Sequence, residues 1–343
     1  MTDVMILAAG LGTRMKSRRA KVLHDLAGKP LIAYSVRTAL ELDARNLITV
    51  VGHQAAEVEQ AVRTEAGRIV KSASTNLQFA LQMEQRGTGH AVMSARDMLR
   101  ELAGPLIIIP GDGPLLKSST LGELIHVHQT EGNKATFLTA RMKDPTGYGR
   151  IIRGPEGRFV RTIEQKDATH EERKIDEVSV SIYCFEIEPL LESLDHLNTD
   201  NAQGEYYLTD VPSILLKLGY RVGILFHRDS HEVLGINTRV ELAKLARKVR
   251  HRKLTDLMLS GVSIIDPNST YIDEDVEIGQ DTVIYPQVII QSGSRIGSNC
   301  IIESWSRLKN VDLADQVTVR NCSVVEDSRI GDGCSVGPFA RLR

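Results

Sequence analysis

Short apolar runs recur along the first two thirds of the chain, at 4–8, 47–51, 106–109, 135–140, 180–185 and 222–226. Runs of that length predict strands. Between them, apolar residues return at three- and four-residue spacing near 31–42, 55–64, 89–102, 121–129, 189–194 and 212–218, which predicts helices. The alternation implies an α/β domain with a mostly parallel sheet covered on both faces. In such a sheet ligands bind beyond the carboxyl ends of the strands.

The pattern then changes twice. Thr238 with Glu241 forms a capping-box signature, and Leu242, Leu245, Val249, Leu254 and Leu257 give a helical stripe that stops at Gly261. Beyond it, VEIGQD, SRIGSN and SRIGDGC repeat one plan of an aliphatic residue, a glycine and polar residues, with looser units such as TVIYPQ between them. A six-residue period with one inward aliphatic per unit predicts a left-handed parallel β-helix, three units to a coil. A small β-sandwich is the competing reading. Three parts are expected: an α/β domain over 1–237, a linking helix over 238–261 and a β-helix over 262–343, the last apparently incomplete.

Composition narrows the function. In 343 residues, 42% hydrophobic and 25% charged positions with a net charge of −2 describe a globular chain, without the basic excess that nucleic acid or a membrane surface would attract. The basic stretch Arg247–Lys253 reads as a solvated helix face, and an RNA-binding role would show as salt-sensitive affinity. No apolar stretch suits a membrane span, and the start of the chain enters a strand without a signal-peptide pattern. Cys184, Cys300, Cys322 and Cys334 lack zinc-site spacing and read as reduced thiols, so a cytoplasmic location is expected.

The candidate chemistry begins where the first strand ends. In LAAGLGTRMKS, Gly10 and Gly12 allow a tight turn and close approach of a ligand, and Arg14, Lys16 and Lys21 supply cations for phosphate oxygens. The loop fits neither GxGxxG nor the P-loop pattern. GDGPLL, from Gly111 to Leu116, follows the most apolar run, and Asp112 there is either a turn residue or an oxygen ligand for Mg²⁺. In QMEQRGTGHAV, Gln82 to Val92, Gly87 and Gly89 open a helix whose positive end favours a polar or anionic ligand, the plainer reading being a helix start with glycine freedom.

These segments, with K-V-L-H at Lys21, KDPTGYGRII, IEQKDAT, NAQGEYYLTD and EVLGINTR, resemble the sugar-1-phosphate nucleotidyltransferases. Within that family the chain is most similar to the UDP-N-acetylglucosamine pyrophosphorylases, the N-terminal half of bifunctional bacterial uridyltransferase/acetyltransferases. The resemblance implies a Rossmann-like nucleotidyltransferase domain and a reaction of UTP with N-acetylglucosamine 1-phosphate. It implies that Arg14 and Lys21 are catalytic, that Mg²⁺ binds Asp112 and Asn237, and that Leu7, Ala8, Ala9, Gly10, Gln82, Gly87, Thr88, Gly111 and Asp112 hold the nucleotide. Gly149, Glu164, Ser179, Tyr207, Thr209 and Asn237 would form the sugar site. A homotrimer through the β-helix is also implied, and no nucleic-acid or membrane partner.

The chain departs from the family at several points. The family has I-N-T-G where this chain has Val178 to Ser181, so Ser179 replaces an Asn and Ser181 a Gly. Pro110 stands where Tyr is frequent, and Ala20 replaces a Pro before Lys21. A different sugar 1-phosphate, or a nucleotide-binding scaffold without catalysis, are the alternatives. The family's acetyltransferase residues lie beyond the coils present here, so no acetyl transfer is expected.

Overall fold

The computed structural model describes residues 2–69 and 75–343. The chain divides into two compact units, Met1–His24 with Pro30–Asn237, and Asp25–Lys29 with Thr238–Arg343.

In the first unit the strands are β1 (Asp3–Leu7), β2 (Asn46–Val51), β3 (Asn76–Leu81), β4 (Pro105–Pro110), β5 (Ala135–Arg141), β6 (Gly149–Arg153), β7 (Phe159–Ile163), β8 (Glu177–Glu186) and β9 (Val222–His227). They form one sheet whose main path runs β9-β5-β8-β4-β1-β2-β3, with β6 on β8 and β7 on β6. The six sequence-predicted strands are present. β3, with a polar alternation and partial burial, was not anticipated, nor was the β6–β7 hairpin.

β1, β2, β3 and β4 run parallel, and β8 runs antiparallel to both β4 and β5. Leu106 to Ile109 are fully buried, as a strand covered on both faces requires. Two apolar clusters fill the two sides of the sheet. One is built around Val4, Ile6, Ile107 and Ile109, the other around Met5, Ile48, Leu106 and Ile108. Alternate side chains of a strand therefore feed opposite cores.

The helices are α1 (Leu31–Glu41), α2 (Ala55–Arg68), α3 (Thr88–Met93), α4 (Arg96–Arg100), α5 (Ser118–Thr130), α6 (Ile187–Leu194) and α7 (Val211–Lys217). The single helix expected over 89–102 is broken in two at Ser94–Ala95. The Ser94 hydroxyl donates to the His90 carbonyl at 2.9 Å, satisfying the terminal turn of α3.

The main part of the second unit begins with α8 (Arg239–Leu259), capped as expected by a reciprocal bond between Thr238 and Glu241. Leu254 and Leu257 join the apolar core of the coils that follow. Among the described residues three parallel sheets of short strands follow, of five, five and four strands, making a parallel β-helix. Ile284, Ile302 and Val319 stack on one inner face, and Ile290, Leu308 and Val325 on another.

The expected period of three six-residue units per coil needs one correction. Glu277 pairs beside Arg295, 18 residues on, but Arg295 pairs beside Asp312, 17 residues on. Asp312 in turn pairs beside Arg329, again 17 residues on, so the units containing Asn310 and Asp327 are each one residue short. The turn of the first is made by Asn310 in the left-handed region (φ 49°), stacked on Asp327 (φ 49°) in the next coil through a 2.7 Å amide–carboxylate bond.

Candidate active site

The parallel strands deliver their carboxyl ends to one edge, and the ladder continues past them. The Ala8 amide donates to Val50 (2.9 Å), Gly111 to Leu7 (3.0 Å) and Gln82 to Val51 (2.8 Å). Here the first unit has a cleft of about 450 Å³. It is lined by Leu7, Ala8, Ala9, Gly10, Arg14 and Lys21 from the first loop and by Gln82, Gly87 and Thr88 from the third. Asp112, Gly149, Glu164, Ser179, Thr209 and Asn237 complete it.

The first loop folds back through two residues in the left-handed region, Gly12 (φ 61°) and Lys16 (φ 47°). A Cβ on Gly12 would come within 2.6 Å of the Lys21 Cβ, so glycine is what lets Lys21 reach the cleft. Gly10 differs: a Cβ there would meet nothing within 4 Å, which leaves its backbone open to a ligand. The Ala20 amide donates to Gln54 Oε1 at 2.6 Å, a bond that the family's proline at this position cannot make.

The cations converge on two oxygens. Arg14 Nη2 donates to Asn237 Oδ1 at 2.7 Å, and Lys21 Nζ donates to the same atom at 3.3 Å. Lys21 also pairs with the Asp112 carboxylate. The loop carrying Asn237 is stitched to Asp112 by the Ile236 amide, which donates to the Asp112 carbonyl at 3.1 Å. Gly235 permits this approach, since a Cβ there would sit 3.2 Å from Asp112 Oδ2.

Glu232 anchors the same loop and was not recognisable in the sequence, where a loop Glu reads as solvated. It is 5% exposed. Its carboxylate accepts from the Thr120 hydroxyl and, at 3.4 Å, from the Lys117 amide, and pairs with Lys117 Nζ at 3.0 Å. Burial pushes its carboxyl up. The Thr120 and Lys117 bonds, with the His227 and Lys117 charges, outweigh this and hold it below the usual range.

The opposite wall carries Glu164, which accepts from the Thr209 hydroxyl at 2.8 Å. Burial raises its carboxyl. The Thr209 bond opposes that, and the Asp210, Asp167 and Glu205 charges add to it. Two further predicted residues are held by neighbours of their own. Tyr207 does not line the cleft; its hydroxyl accepts from Gln203 (2.9 Å) and donates to Asp167 (3.2 Å), bracing the wall from behind. Gly111 lies between two residues that line the cleft, Pro110 and Asp112, and a Cβ there would press on Ile32, Val22 and the Leu7 carbonyl.

Ser179 and Ser181 both face the cleft, on a stretch of β8 where the pairing to β5 slips between Ser179 and Tyr183. Ser181 sits at φ 59°, the left-handed region that suits glycine. Thr88 lines the cleft and its hydroxyl accepts from the Leu208 amide at 3.1 Å.

The sequence matches the Nucleotidyl transferase family over residues 3–232 and the GMPPB C-terminal domain over residues 260–343. It is 45% identical to the Bifunctional protein GlmU of Acetivibrio thermocellus over 339 residues, 99% of this chain and 71% of that protein. It is 44% identical to the Bifunctional protein GlmU of Trichlorobacter lovleyi, over 100% of this chain and 73% of that one. The protein of the same name in Enterococcus faecalis is 44% identical, over 99% and 71%. The chain belongs to the GlmU family of nucleotidyltransferases. Its chemistry is that of a sugar-1-phosphate nucleotidyltransferase. Among the described residues no helix is long and apolar enough to cross a membrane.

The donor set also fits a hard cation. Asp112 and Asn237 present oxygens to one point, which Lys21 Nζ contacts. Mg²⁺ needs only one or two protein ligands beside water and phosphate. Among the described residues no group of three or more His, Cys, Asp or Glu could hold a metal.

Proposed function

We propose that this enzyme joins UTP and N-acetylglucosamine 1-phosphate, giving UDP-N-acetylglucosamine and pyrophosphate. The convergence of Arg14, Lys21, Asp112 and Asn237 within one cleft carries this reading. The uracil would lie against the backbone of Leu7, Ala8, Ala9 and Gly10 with the Gln82 amide at its edge. The sugar would meet Gly149, Glu164, Ser179 and Thr209.

The phosphate oxygen of the sugar attacks the α-phosphorus of UTP in line, and the bond to the β-phosphate oxygen breaks. No side chain need form a covalent bond; positioning and charge neutralisation do the work. Arg14 and Lys21 neutralise charge that builds on the transferred and departing groups. Glu164 accepts a hydroxyl of the sugar and so orients its phosphate. Asp112 and Asn237 would hold Mg²⁺, which would supply further charge neutralisation for the phosphates.

The test is pyrophosphate release with Mg²⁺ and UTP across a panel of sugar 1-phosphates. Asp112→Ala should abolish it, and release that is unchanged in that variant would sink the reading. Ser179 and Ser181 favour a second reading, a different sugar 1-phosphate, which the same panel decides. The β-helix exposes Tyr271, Tyr285, Ile289, Trp305 and Phe339, which supports a homotrimer formed through this unit.

A further inference from the structure

Gln82 follows β3, is 3% exposed, and lines the cleft. Both hydrogens of its amide are committed. Nε2 donates to the Gly87 carbonyl at 3.1 Å and lies 3.1 Å from His90 Nδ1. A carbonyl oxygen can only accept, so the nitrogen must stand on that side. An amide nitrogen can only donate, so His90 Nδ1 carries the lone pair and its ring proton is on Nε2. His90 is held in place by a stacked contact with Tyr206, ring centres 6.2 Å apart and planes at 25°. The Tyr206 carbonyl in turn accepts from the Gly89 amide at 2.8 Å. The other end of the amide is unused: among the described residues no donor reaches Gln82 Oε1.

We infer that His90 is a positioning residue that sets nucleobase choice. By accepting from Gln82 Nε2 it keeps Gln82 Oε1 turned toward the cleft as an acceptor. An acceptor there favours a pyrimidine whose N3 carries a hydrogen, as uracil does, over cytosine, whose N3 carries a lone pair. The inference rests on the uridine reading above. The Gly87 carbonyl is one anchor of the amide and His90 the second. Without the second, the amide can turn over and offer its nitrogen to cytosine.

The test compares kcat/KM for UTP and CTP in the wild type, His90→Phe and His90→Asn. Phenylalanine keeps a ring against Tyr206 but has no acceptor. Loss of one anchoring hydrogen bond should lower the UTP-over-CTP ratio roughly three- to tenfold, with KM for the sugar phosphate unchanged. Asparagine, whose Oδ1 stands in for Nδ1, should restore the ratio. Long-range ¹H–¹⁵N spectra should place the His90 proton on Nε2. An unchanged ratio in folded His90→Phe, or a proton on Nδ1, overturns the inference. If His90→Phe does not fold, His90→Ala makes the same comparison with the same expected fall. A wild type without preference for UTP overturns the uridine reading itself. A wild-type preference that survives in the variants overturns only the part given to His90.

Discussion

Arg14 and Asn237, 223 residues apart, are joined by a 2.7 Å bond from the guanidinium to the amide oxygen. The first and last loops of the nucleotidyltransferase unit thus close on one point, to which Asp112 and Lys21 also belong.

Lys21→Ala leaves the Arg14–Asn237 bond in place but removes the cation shared by Asp112 and Asn237. Turnover should fall about two to three orders of magnitude with only a modest change in KM for UTP, by analogy with deletion of a single transition-state donor. Steady-state pyrophosphate release measures it, and turnover kept near wild type would remove Lys21 from the mechanism.

Glu232 acts at a distance, through the loop that ends in Asn237. Glu232→Ala strands the Thr120 hydroxyl and the Lys117 amide and should cost about 2–3 kcal/mol of stability. A looser Asn237 should also raise the Mg²⁺ concentration needed for half-maximal activity. Glu232→Gln, which keeps an acceptor, should recover most of both. A magnesium titration alongside urea unfolding checks this; an unaltered Mg²⁺ requirement in a destabilised Glu232→Ala would limit the residue to stability.

Asp210 gives a pH signature. Burial first, and then the Asp167 charge, push its carboxyl from 3.8 to about 6, with Lys217 opposing. A raised carboxyl binds its proton more tightly in the folded state. Its contribution to stability is therefore complete below 3.8 and is lost as pH rises through about 6. Asp210→Asn should be more stable than wild type at pH 8 by roughly 1–2 kcal/mol after solvent screening, with the difference vanishing near pH 4. Denaturant midpoints across that range test the sign, and an equal difference at both ends would contradict it.

Ser181 carries a side chain in left-handed backbone. Ser181→Gly should gain about 0.5–1 kcal/mol, the relieved strain being partly offset by the freedom of glycine in the unfolded chain. Thermal unfolding decides, and a loss of stability would mean that the hydroxyl contributes more than the backbone strain costs.

Much of the fold was legible because it is periodic. β4 declared itself by four consecutive apolar residues, and the β-helix by aliphatic residues recurring at its inward positions. β3 and the β6–β7 hairpin were missed because their strands are only partly buried and mix polar with apolar residues, so their period is weak. The two shortened coil units escaped for a similar reason. Left-handed Asn310 and Asp327 absorb the missing residues, and nothing local announces them.

The residue types by themselves determined that strand ends would carry a glycine turn, cations and an aspartate, because turn freedom and charge are properties a residue brings with it. Tertiary structure decided which of these meet. It drew Asn237 onto Arg14 and Lys21, tied the Tyr207 hydroxyl to Gln203 and Asp167, and put Glu232 and His90 behind Asn237 and Gln82. Whether a polar group serves as a contact, a brace or a ligand depends on which partner remains once water is removed. That partner is supplied by chain far away in sequence.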